Sequence, residues 1–198
     1  SPIDYVVPGD YSSASTFLAA GALFDGEILL EGLDENDLQG DRRLLSILQK
    51  MGAQVELTDG VVLVKKSSLH GMDFDANDVP DLVPTLAVLG TQAEGQTRIL
   101  NVPQARVKET DRLHSMTEGL RKMGADIDEL ADGLIVRSST LHGSKVHGFE
   151  DHRTIMALTL AGLLAEGETV IDTAEGLNKT YPLFGDHLVS LHASLYFD

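Results

Sequence analysis

The chain of 198 residues carries 31 acidic and 15 basic side chains, which gives a formal net charge of −16 at pH 7. This charge argues against duplex nucleic acid and anionic membrane surfaces as partners, because the average field repels them. An apolar share of 42% and a charged share of 23% are typical of a folded globular domain. The lack of cysteine excludes disulfides, thiolate nucleophiles and cysteine-ligated metals.

Targeting and membrane signals are not recognised in the sequence. The first residues, Ser1-Pro2-Ile3-Asp4, lack the charged and apolar regions of a secretory signal. The longest strongly apolar stretch, residues 154–165, is too short to span a bilayer. We therefore expect a soluble protein of the cytoplasm.

An internal repeat organises the chain. Lys50-Met51-Gly52-Ala53 recurs as Lys122-Met123-Gly124-Ala125, 72 positions later. Ser67-Ser68-Leu69-His70-Gly71 recurs at the same shift as Ser139-Thr140-Leu141-His142-Gly143. Such a period indicates several copies of one supersecondary unit.

The predicted elements follow the same order in each copy. A nearly charge-free helical run stands just after an aspartate, at residues 12–24, 82–93 and 154–165. A glycine turn and a strand come next, at residues 27–31, 96–101 and 168–172. A second helix begins near Asp41, Asp111 or Leu183, and in the first two copies it ends at the Lys-Met-Gly signal. Hairpins with Asp-Gly turns close those two copies, at residues 54–57 with 61–65 and 126–130 with 134–137.

The predicted unit is strand–helix–strand–helix–hairpin, at about residues 4–75, 76–148 and 149–198. Units of this size cannot each bury a full core, so we expect α/β packing around a common axis with the apolar helices enclosed. The third unit lacks the closing hairpin, and its sheet needs a strand from elsewhere or keeps an open edge. We therefore expect the chain to be a piece of a longer protein.

Basic residues gather near the predicted helix starts in spite of the acidic composition. Helix starts attract anions through free N–H groups and the helix dipole, so a local gathering of cations there would focus an anion trap. The candidates are Arg106, Lys108, Arg112, Arg153 and Lys179. Each one alone is more simply a solvated residue paired with an acidic neighbour, but recurrence in two repeats favours the trap.

Two carboxylates stand near these cations. Asp81 begins a helix and could be only its cap, and Glu109 could be only a surface ion-pair partner. A carboxylate held among cations has a lowered pKa and acts as a base rather than an acid. Of the seven histidines only His152 adjoins the cluster, and Ser12 and Ser13 are interpreted as capping residues. Dinucleotide, P-loop and zinc motifs are not found.

Five motifs in this order resemble the 5-enolpyruvylshikimate-3-phosphate synthase family. They are Gly9-Asp10-Tyr11-Ser12-Ser13-Ala14-Ser15, Gln39-Gly40-Asp41, Lys108-Glu109-Thr110-Asp111-Arg112-Leu113, Asp151-His152-Arg153 and Lys179-Thr180-Tyr181-Pro182. The resemblance runs from about Tyr5 to the C-terminus and corresponds to the C-terminal half of the family's protein. It implies an inside-out α/β barrel domain of three βαβαββ units, completed by a strand from the start of the full chain. The N-terminal domain would then be missing here.

The resemblance also implies an activity, which is that of the glyphosate target in aromatic amino acid biosynthesis. The enolpyruvyl group of phosphoenolpyruvate would pass to the 5-hydroxyl of shikimate 3-phosphate, with release of phosphate and without a metal or organic cofactor. Asp81 would deprotonate that hydroxyl, Glu109 would serve the methylene carbon as acid and base, and His152 would line the same region. The implied substrate ligands are Gln104 and Lys108 for shikimate 3-phosphate, and Arg112, Arg153 and Lys179 for phosphoenolpyruvate.

Two alternative functions remain open from the sequence. One is the sister enolpyruvyl transferase acting on UDP-N-acetylglucosamine, against which the Asp-His-Arg and Lys-Thr-Tyr-Pro motifs argue. The other is a non-catalytic repeat module that binds anions or a protein. Under the leading interpretation we expect negligible turnover from this chain alone, because half of the reacting groups would be absent.

Overall fold

The computed structural model describes residues 7–196, so residues 4–6 of the predicted first unit lie outside it. The first unit runs α1 (Tyr11–Leu23), β1 (Glu27–Glu31), a 3-10 turn (Gly40–Arg42), α2 (Arg43–Lys50), β2 (Gln54–Thr58) and β3 (Val61–Lys65). The second runs β4 (Asp73–Asp75), a 3-10 turn (Pro80–Leu82), α3 (Val83–Gln92), β5 (Gln96–Leu100), a 3-10 turn (Pro103–Val107), α4 (Arg112–Lys122), β6 (Ile127–Leu130) and β7 (Gly133–Arg137). The third runs β8 (Lys145–His147), α5 (His152–Leu164), β9 (Val170–Asp172), a 3-10 turn (Ala174–Lys179) and α6 (Phe184–Ser190). The predicted boundaries left β4 and β8 at the ends of the preceding units, but we group each with the following unit because β4 pairs with β5 and β8 with β9.

The strands form three separate sheets in the described part of the chain. The first is antiparallel in the order β1-β3-β2, and the second, β4-β5-β7-β6, adds a parallel strand at its edge. The third contains only the parallel pair β8-β9, and no hairpin closes it within residues 7–196. Bridges between His70 and Glu94 and between His142 and Glu166 occupy equivalent places in successive units. The repeat in the sequence is thus a repeat of structure.

The helices α1, α3 and α5 pack against one another inside the molecule. Nine of the ten residues of α3 are buried, as are nine of the 13 in α1 and eight of the 13 in α5. Because these helices are apolar on every side, they can only be enclosed, and the sheets lie outside them. This confirms the inside-out α/β architecture, with separate sheets and no closed barrel among the described residues. None of the helices in residues 7–196 has the length and apolarity needed to cross a bilayer.

The Lys-Met-Gly signals end α2 and α4 as predicted. Gly52 and Gly124 adopt φ angles of 104° and 92°, a left-handed conformation that side chains with a Cβ rarely adopt. The next residue then donates its N–H back into the last turn, at 2.8 Å from Ala53 to Leu48 and 2.9 Å from Ala125 to Leu120. The two repeats therefore share one mode of helix termination.

Both predicted hairpins form, but their turns differ. In the first, Asp59 and Gly60 have φ angles of 52° and 77°, which is the pattern of a type I′ turn. In the second, Leu130 pairs with Gly133, so the turn consists of Ala131 and Asp132, neither of which has a positive φ. The expected Asp-Gly turn is wrong there, because Gly133 belongs to β7 and the Asp132 carbonyl accepts a hydrogen bond from Val102 at 2.9 Å.

Candidate active site

The three buried helices begin at one end of the molecule, and each start carries an aspartate. Asp10 caps α1 by accepting from Ser12 and Ser13 N–H groups, both at 3.0 Å. Asp151 caps α5 in the same way, with the Arg153 N–H at 2.8 Å. The 3-10 turn that holds Asp81 has no side-chain cap. The middle aspartate of the repeat therefore keeps its carboxylate for other partners.

Arg112 joins that carboxylate to two others. Its guanidinium is 1% exposed, and it donates to Asp151 Oδ2 at 2.8 Å, Asp81 Oδ1 at 2.5 Å and Glu109 Oε2 at 2.7 Å. Burial alone would lower the pKa of Arg112, but the hydrogen bonds and charges of the three carboxylates raise it above its ordinary value. We call the cluster of Asp81, Lys108, Glu109, Arg112, Asp151 and Arg153 the rim.

Asp81 lies among cations, as the sequence predicted. Lys108 Nζ stands 3.3 Å from Asp81 Oδ1, the same oxygen that the buried Arg112 contacts. Burial acts to raise the pKa of Asp81, but Arg112, Lys108 and Arg153 outweigh it, so this pKa lies below its ordinary value. The carboxylate is thus ionised and able to accept a hydrogen bond or a proton.

Gln104 lies on the 3-10 turn that packs against the turn holding Asp81. Its amide donates to the backbone carbonyl of Asn77, and its Nε2 is 3.4 Å from the Asn77 side-chain oxygen. These bonds hold the two turns together. Gln104 is therefore held on the turn next to the one that carries Asp81.

The start of α5 contributes two side chains with unsatisfied polar atoms. His152 is 4% exposed, and its Nδ1 is buried without a hydrogen-bond partner in the described part of the chain. Burial and the charge of Arg153 lower the pKa of His152, which favours the neutral imidazole. Arg153 Nε and Nη1 are likewise buried and unpartnered among residues 7–196. Buried guanidinium nitrogens without an acceptor call for an anionic ligand or water.

Lys179 is tied to the loop that precedes this helix start. Its Nζ donates to the Glu150 carbonyl at 2.8 Å. Phe149, Glu150 and Thr173 all have φ angles between 52° and 56°, and the Glu150 N–H donates to Thr173 Oγ1 at 3.1 Å. Positive φ is unusual for such residues, so the loop stores backbone strain beside the rim.

Arg106 has a different role from the one expected. Its guanidinium donates to Asp111 at 2.7 Å, to Glu129 at 2.8 Å, and to the carbonyls of Leu130 and Ala131. These bonds occupy the group and fix the β6–β7 hairpin to the turn before α4. Arg106 is a structural clamp, and the expectation that it helps to trap an anion is wrong.

Sequence reasoning missed Asp41 as a residue of this region. Asp41 is 7% exposed and accepts a hydrogen bond from the Ser12 hydroxyl, and the charges of Asp81 and Arg153 act on it. Gln39 holds the two segments together, because its side chain accepts from the Tyr11 N–H at 2.9 Å and donates to the Gly9 carbonyl at 3.0 Å. Asp41-Arg42 repeats in the sequence as Asp111-Arg112, but this repeat does not indicate that Asp41 would be buried against Ser12.

The chemistry that this arrangement allows is acid–base catalysis and anion binding. Two carboxylates, Asp81 and Glu109, share the buried Arg112, and the cations Lys108 and Arg153 stand near Asp81. Within residues 7–196, no group of three histidine, aspartate or glutamate side chains is close enough to hold a metal ion.

Comparisons with known proteins identify the family of the chain. The sequence matches the family model of EPSP synthase (3-phosphoshikimate 1-carboxyvinyltransferase) over residues 1–188. It is 51% identical over 187 residues to the 3-phosphoshikimate 1-carboxyvinyltransferase of Acetivibrio thermocellus, covering 94% of this chain and 44% of that protein. It is 48% identical over 196 residues to the 3-phosphoshikimate 1-carboxyvinyltransferase of Methanocaldococcus jannaschii, covering 98% of this chain and 46% of that protein.

The fold has a counterpart among solved structures. An EPSP synthase structure from Acinetobacter baumannii superposes with a TM-score of 0.83 at 30% identity, over 96% of this chain and 46% of that one. The chain thus spans a little under half the length of these relatives.

Proposed function

Since the chain belongs to the EPSP synthase family, we propose that it supplies one half of an active site for enolpyruvyl transfer. The reaction passes the enolpyruvyl group of phosphoenolpyruvate to the 5-hydroxyl of shikimate 3-phosphate and releases phosphate. The observation that carries the proposal is the convergence of Asp81 and Glu109 on the buried Arg112. Adding an alcohol across a double bond and then eliminating phosphate needs proton transfer at two different atoms, and two carboxyl groups can serve them.

Asp81 is the proposed base for the 5-hydroxyl. Its lowered pKa keeps the carboxylate ionised, and Lys108 and Arg112 both contact its Oδ1 and fix its position. Lys108 is partly exposed and can also contact the anionic substrate. Gln104, on the neighbouring turn, is the proposed second ligand of shikimate 3-phosphate.

Glu109 is the proposed acid and base at the methylene carbon of phosphoenolpyruvate. One of its oxygens accepts from Arg112 at 2.7 Å, and its side chain is 42% exposed, so the group is anchored yet open to substrate. The buried His152 lines the same region.

The cations of α5 and of the turn after β9 are the proposed ligands of phosphoenolpyruvate. Arg153 has buried N–H groups without protein acceptors, which an incoming phosphate or carboxylate would satisfy. Lys179 is held next to the same helix start, because its Nζ donates to the carbonyl of Glu150, the residue before the N-cap Asp151. The resemblance also implies Arg112 as a phosphoenolpyruvate ligand, but because Arg112 is 1% exposed and donates to three carboxylates, its proposed role is to hold Asp81 and Glu109 in position. The charges of Arg153 and Lys179 would neutralise the leaving phosphate and so lower the barrier for its departure.

We propose further that this chain is the C-terminal domain of a two-domain protein, with an N-terminal domain that supplies the opposite side of the site. Two observations support this: the chain spans a little under half of its relatives, and the third sheet has only two strands in the described residues. The cytoplasmic location also remains part of the proposal.

Reconstitution from two halves tests the proposed function. The chain would be mixed with the complementary half of a close relative, and phosphate release from phosphoenolpyruvate and shikimate 3-phosphate would be measured. We expect activity only from the mixture, and a loss of about 10²–10⁴-fold for Asp81→Asn or Glu109→Gln in the mixture. Asp25→Asn, at the opposite end of α1, is the matched control and should leave activity unchanged.

Two results would overturn the proposal. One is an appreciable turnover by the chain alone, and the other is full activity of the mixture with Asp81→Asn or Glu109→Gln. The same assay with UDP-N-acetylglucosamine in place of shikimate 3-phosphate distinguishes the proposed reaction from that of the sister transferase. We expect no phosphate release with the nucleotide sugar.

A further inference from the structure

Each unit has a residue with a left-handed backbone directly after the strand that follows its buried helix. Gly32 follows β1, Asn101 follows β5 and Thr173 follows β9, with φ angles of 82°, 59° and 55°. Glycine adopts such angles freely and asparagine tolerates them, whereas a β-branched residue such as threonine rarely does. The second and third units therefore carry backbone strain at a position where the first unit has a glycine.

Glycine would meet the backbone requirement at all three positions. A Cβ on Gly32 would have no atom within 4 Å, so that glycine serves its φ angle rather than a close contact. Backbone strain of this kind clusters at functional sites, where the surrounding structure maintains it. The partners of the Asn101 and Thr173 side chains indicate what the strain serves here.

The Asn101 side chain holds the segment that leads to Asp81. Its Nδ2 donates to Asp75 Oδ2 on the adjacent strand β4 at 3.2 Å. The other oxygen of Asp75 accepts from the Asn77 N–H at 3.0 Å, and the Asn77 carbonyl accepts from Gln104. Asn101 thus fixes the segment between β4 and the turn that carries Asp81.

The Thr173 side chain holds the corresponding segment of the third unit. Its Oγ1 accepts from the Glu150 N–H at 3.1 Å, and the Glu150 carbonyl accepts from Lys179 Nζ at 2.8 Å. Glu150 directly precedes Asp151, the N-cap of α5, and Arg153 lies in the first turn of that helix. Thr173 thus fixes the segment from which the phosphoenolpyruvate cations project.

We propose that Asn101 and Thr173 are positioning residues, whose strained backbone is retained because their side chains fix Asp81 and Arg153 on the rim. Asn101 acts through Asp75, and Thr173 acts through Glu150. The inference rests on the proposed function for what Asp81 and Arg153 do, but the fixing of the two segments can be measured in the chain alone. Replacement by glycine should impair the site without lowering stability, which a purely structural residue would not do.

The first experiment replaces each residue by glycine in the chain alone. Asn101→Gly and Thr173→Gly should unfold at the same urea concentration as the unmodified chain or at a higher one, because relief of strain offsets the loss of one exposed hydrogen bond. Amide exchange measured by NMR should nevertheless become about threefold faster or more, at Asn77 in Asn101→Gly and at Glu150 in Thr173→Gly.

Asp59→Gly is the matched control for strain. Asp59 has a φ of 52° in the exposed turn between β2 and β3. This variant should relieve strain in the same way and leave the exchange of Asn77 and Glu150 unchanged.

The second experiment measures the reaction in the mixture with the complementary half. Asn101→Gly should lower kcat about tenfold with little change in the KM for phosphoenolpyruvate, because a misplaced base slows proton transfer. Thr173→Gly should instead raise that KM about tenfold, because the cations that hold the anion are no longer fixed. A general loosening of the structure would change both parameters alike in the two variants.

Conservative variants should restore what the glycine variants lose. Thr173→Ser keeps the hydroxyl, so the KM and the slow exchange of Glu150 should be kept. Asn101→Asp alone sets two carboxylates against each other and should lower kcat. Combined with Asp75→Asn, it exchanges donor and acceptor between the two side chains, leaves an amide oxygen for the Asn77 N–H, and should recover kcat.

Unchanged exchange in either glycine variant, or a lower urea midpoint for either, would overturn the inference. Unchanged kinetics of the variants in an active mixture would also overturn it and leave the proposed function standing. If the unmodified mixture is inactive, the proposed function fails, and the exchange and unfolding measurements on the chain alone still decide whether the two residues fix their segments.

Discussion

Arg112 is the residue on which three carboxylates converge, and it is almost completely removed from solvent. Without it, Asp151 would be a buried charge with no cationic partner and only the N–H groups at the start of α5 as donors. Buried pairs broken in this way cost about 3–5 kcal/mol. We therefore expect Arg112→Ala to lower the free energy of unfolding by about that amount, as measured by urea denaturation at neutral pH.

Arg137 provides the matched control for this prediction. It also bridges two carboxylates, those of Asp126 and Asp128, but all three side chains are substantially exposed. Arg137→Ala should therefore cost much less than Arg112→Ala. Equal losses for the two variants would mean that burial of the Arg112 network contributes nothing to stability.

The pKa values of Asp81 and Asp41 predict opposite effects of pH on stability. Because the pKa of folded Asp81 is lowered, its ionisation stabilises the fold above the ordinary aspartate pKa of about 3.9, and this contribution disappears as pH falls through the lower folded value. The pKa of folded Asp41 is raised. Its ionisation therefore opposes folding once the pH rises above the pKa that Asp41 has in the unfolded chain.

Unfolding of the two asparagine variants between about pH 3 and pH 7 measures these contributions. The unmodified chain should exceed Asp81→Asn in stability at neutral pH, and the gap should close in acid. Asp41→Asn should instead become more stable relative to the unmodified chain as pH rises. The same trend for both variants would contradict the assigned pKa directions.

Candidate site residues could be chosen from the sequence only where local position determines their environment. Lys108, Glu109 and Arg153 stand at helix starts, and the repeat indicates that those starts are equivalent. The burial of Asp41 depends on packing between distant segments, which no local pattern reports. Arg106 was misjudged for the same reason, because its partners on the hairpin are 23 to 25 residues away.

At the scale of elements, the buried helices were the easiest to predict. Their all-round apolar sequences place them within two residues of the observed bounds, at 11–23, 83–92 and 152–164. The turn of the second hairpin was not predictable from Asp132-Gly133, since strand pairing with β5 and β6 determines where Gly133 lies.

Gly90 in α3 marks a close approach of helix and sheet. A Cβ there would lie 3.0 Å from the Val136 Cβ of β7 and 3.1 Å from the Thr97 Cβ of β5. Alanine is normally favoured over glycine in a helix by about 1 kcal/mol, but overpacking costs about 1–3 kcal/mol. We expect Gly90→Ala to lower the melting temperature by about 2–4 °C in calorimetry. Ser46→Ala, on the exposed face of α2, is the control and should change the melting temperature little. A higher melting temperature for Gly90→Ala would contradict the prediction and show that β5 and β7 can move away from α3.

The strained loop before α5 gives a second prediction at this scale. Glu150 has a φ of 52°, and its main-chain groups bond to Thr173 and Lys179. Glycine relieves left-handed strain, so Glu150→Gly should be more stable than Glu150→Ala by about 1 kcal/mol in urea denaturation. At Glu168, an exposed loop residue whose φ is not positive, the order should reverse, with alanine more stable than glycine. If the alanine variant is more stable than the glycine variant at both Glu150 and Glu168, backbone strain at Glu150 is excluded.

At the scale of the whole molecule, the repeat carried most of the predictive information. It indicated three units, enclosed helices and helix starts at one end, because equivalent segments fold alike and pack in the same sense. The contacts between units could not be derived in this way. Arg112, for example, belongs to the second unit but pairs with Asp151 of the third.

The interpretation as a whole depends on one claim, which is that residues from the second and third units meet on the rim to bind small dianions. An NMR titration of the isotope-labelled chain with shikimate 3-phosphate and phosphoenolpyruvate tests it most directly. We expect that the amide signals that move belong to residues around Asp81, Lys108, Arg112, Arg153 and Lys179. Shifts that cluster instead at the opposite end, around Gly52 and Gly124, or that scatter over the surface would contradict it.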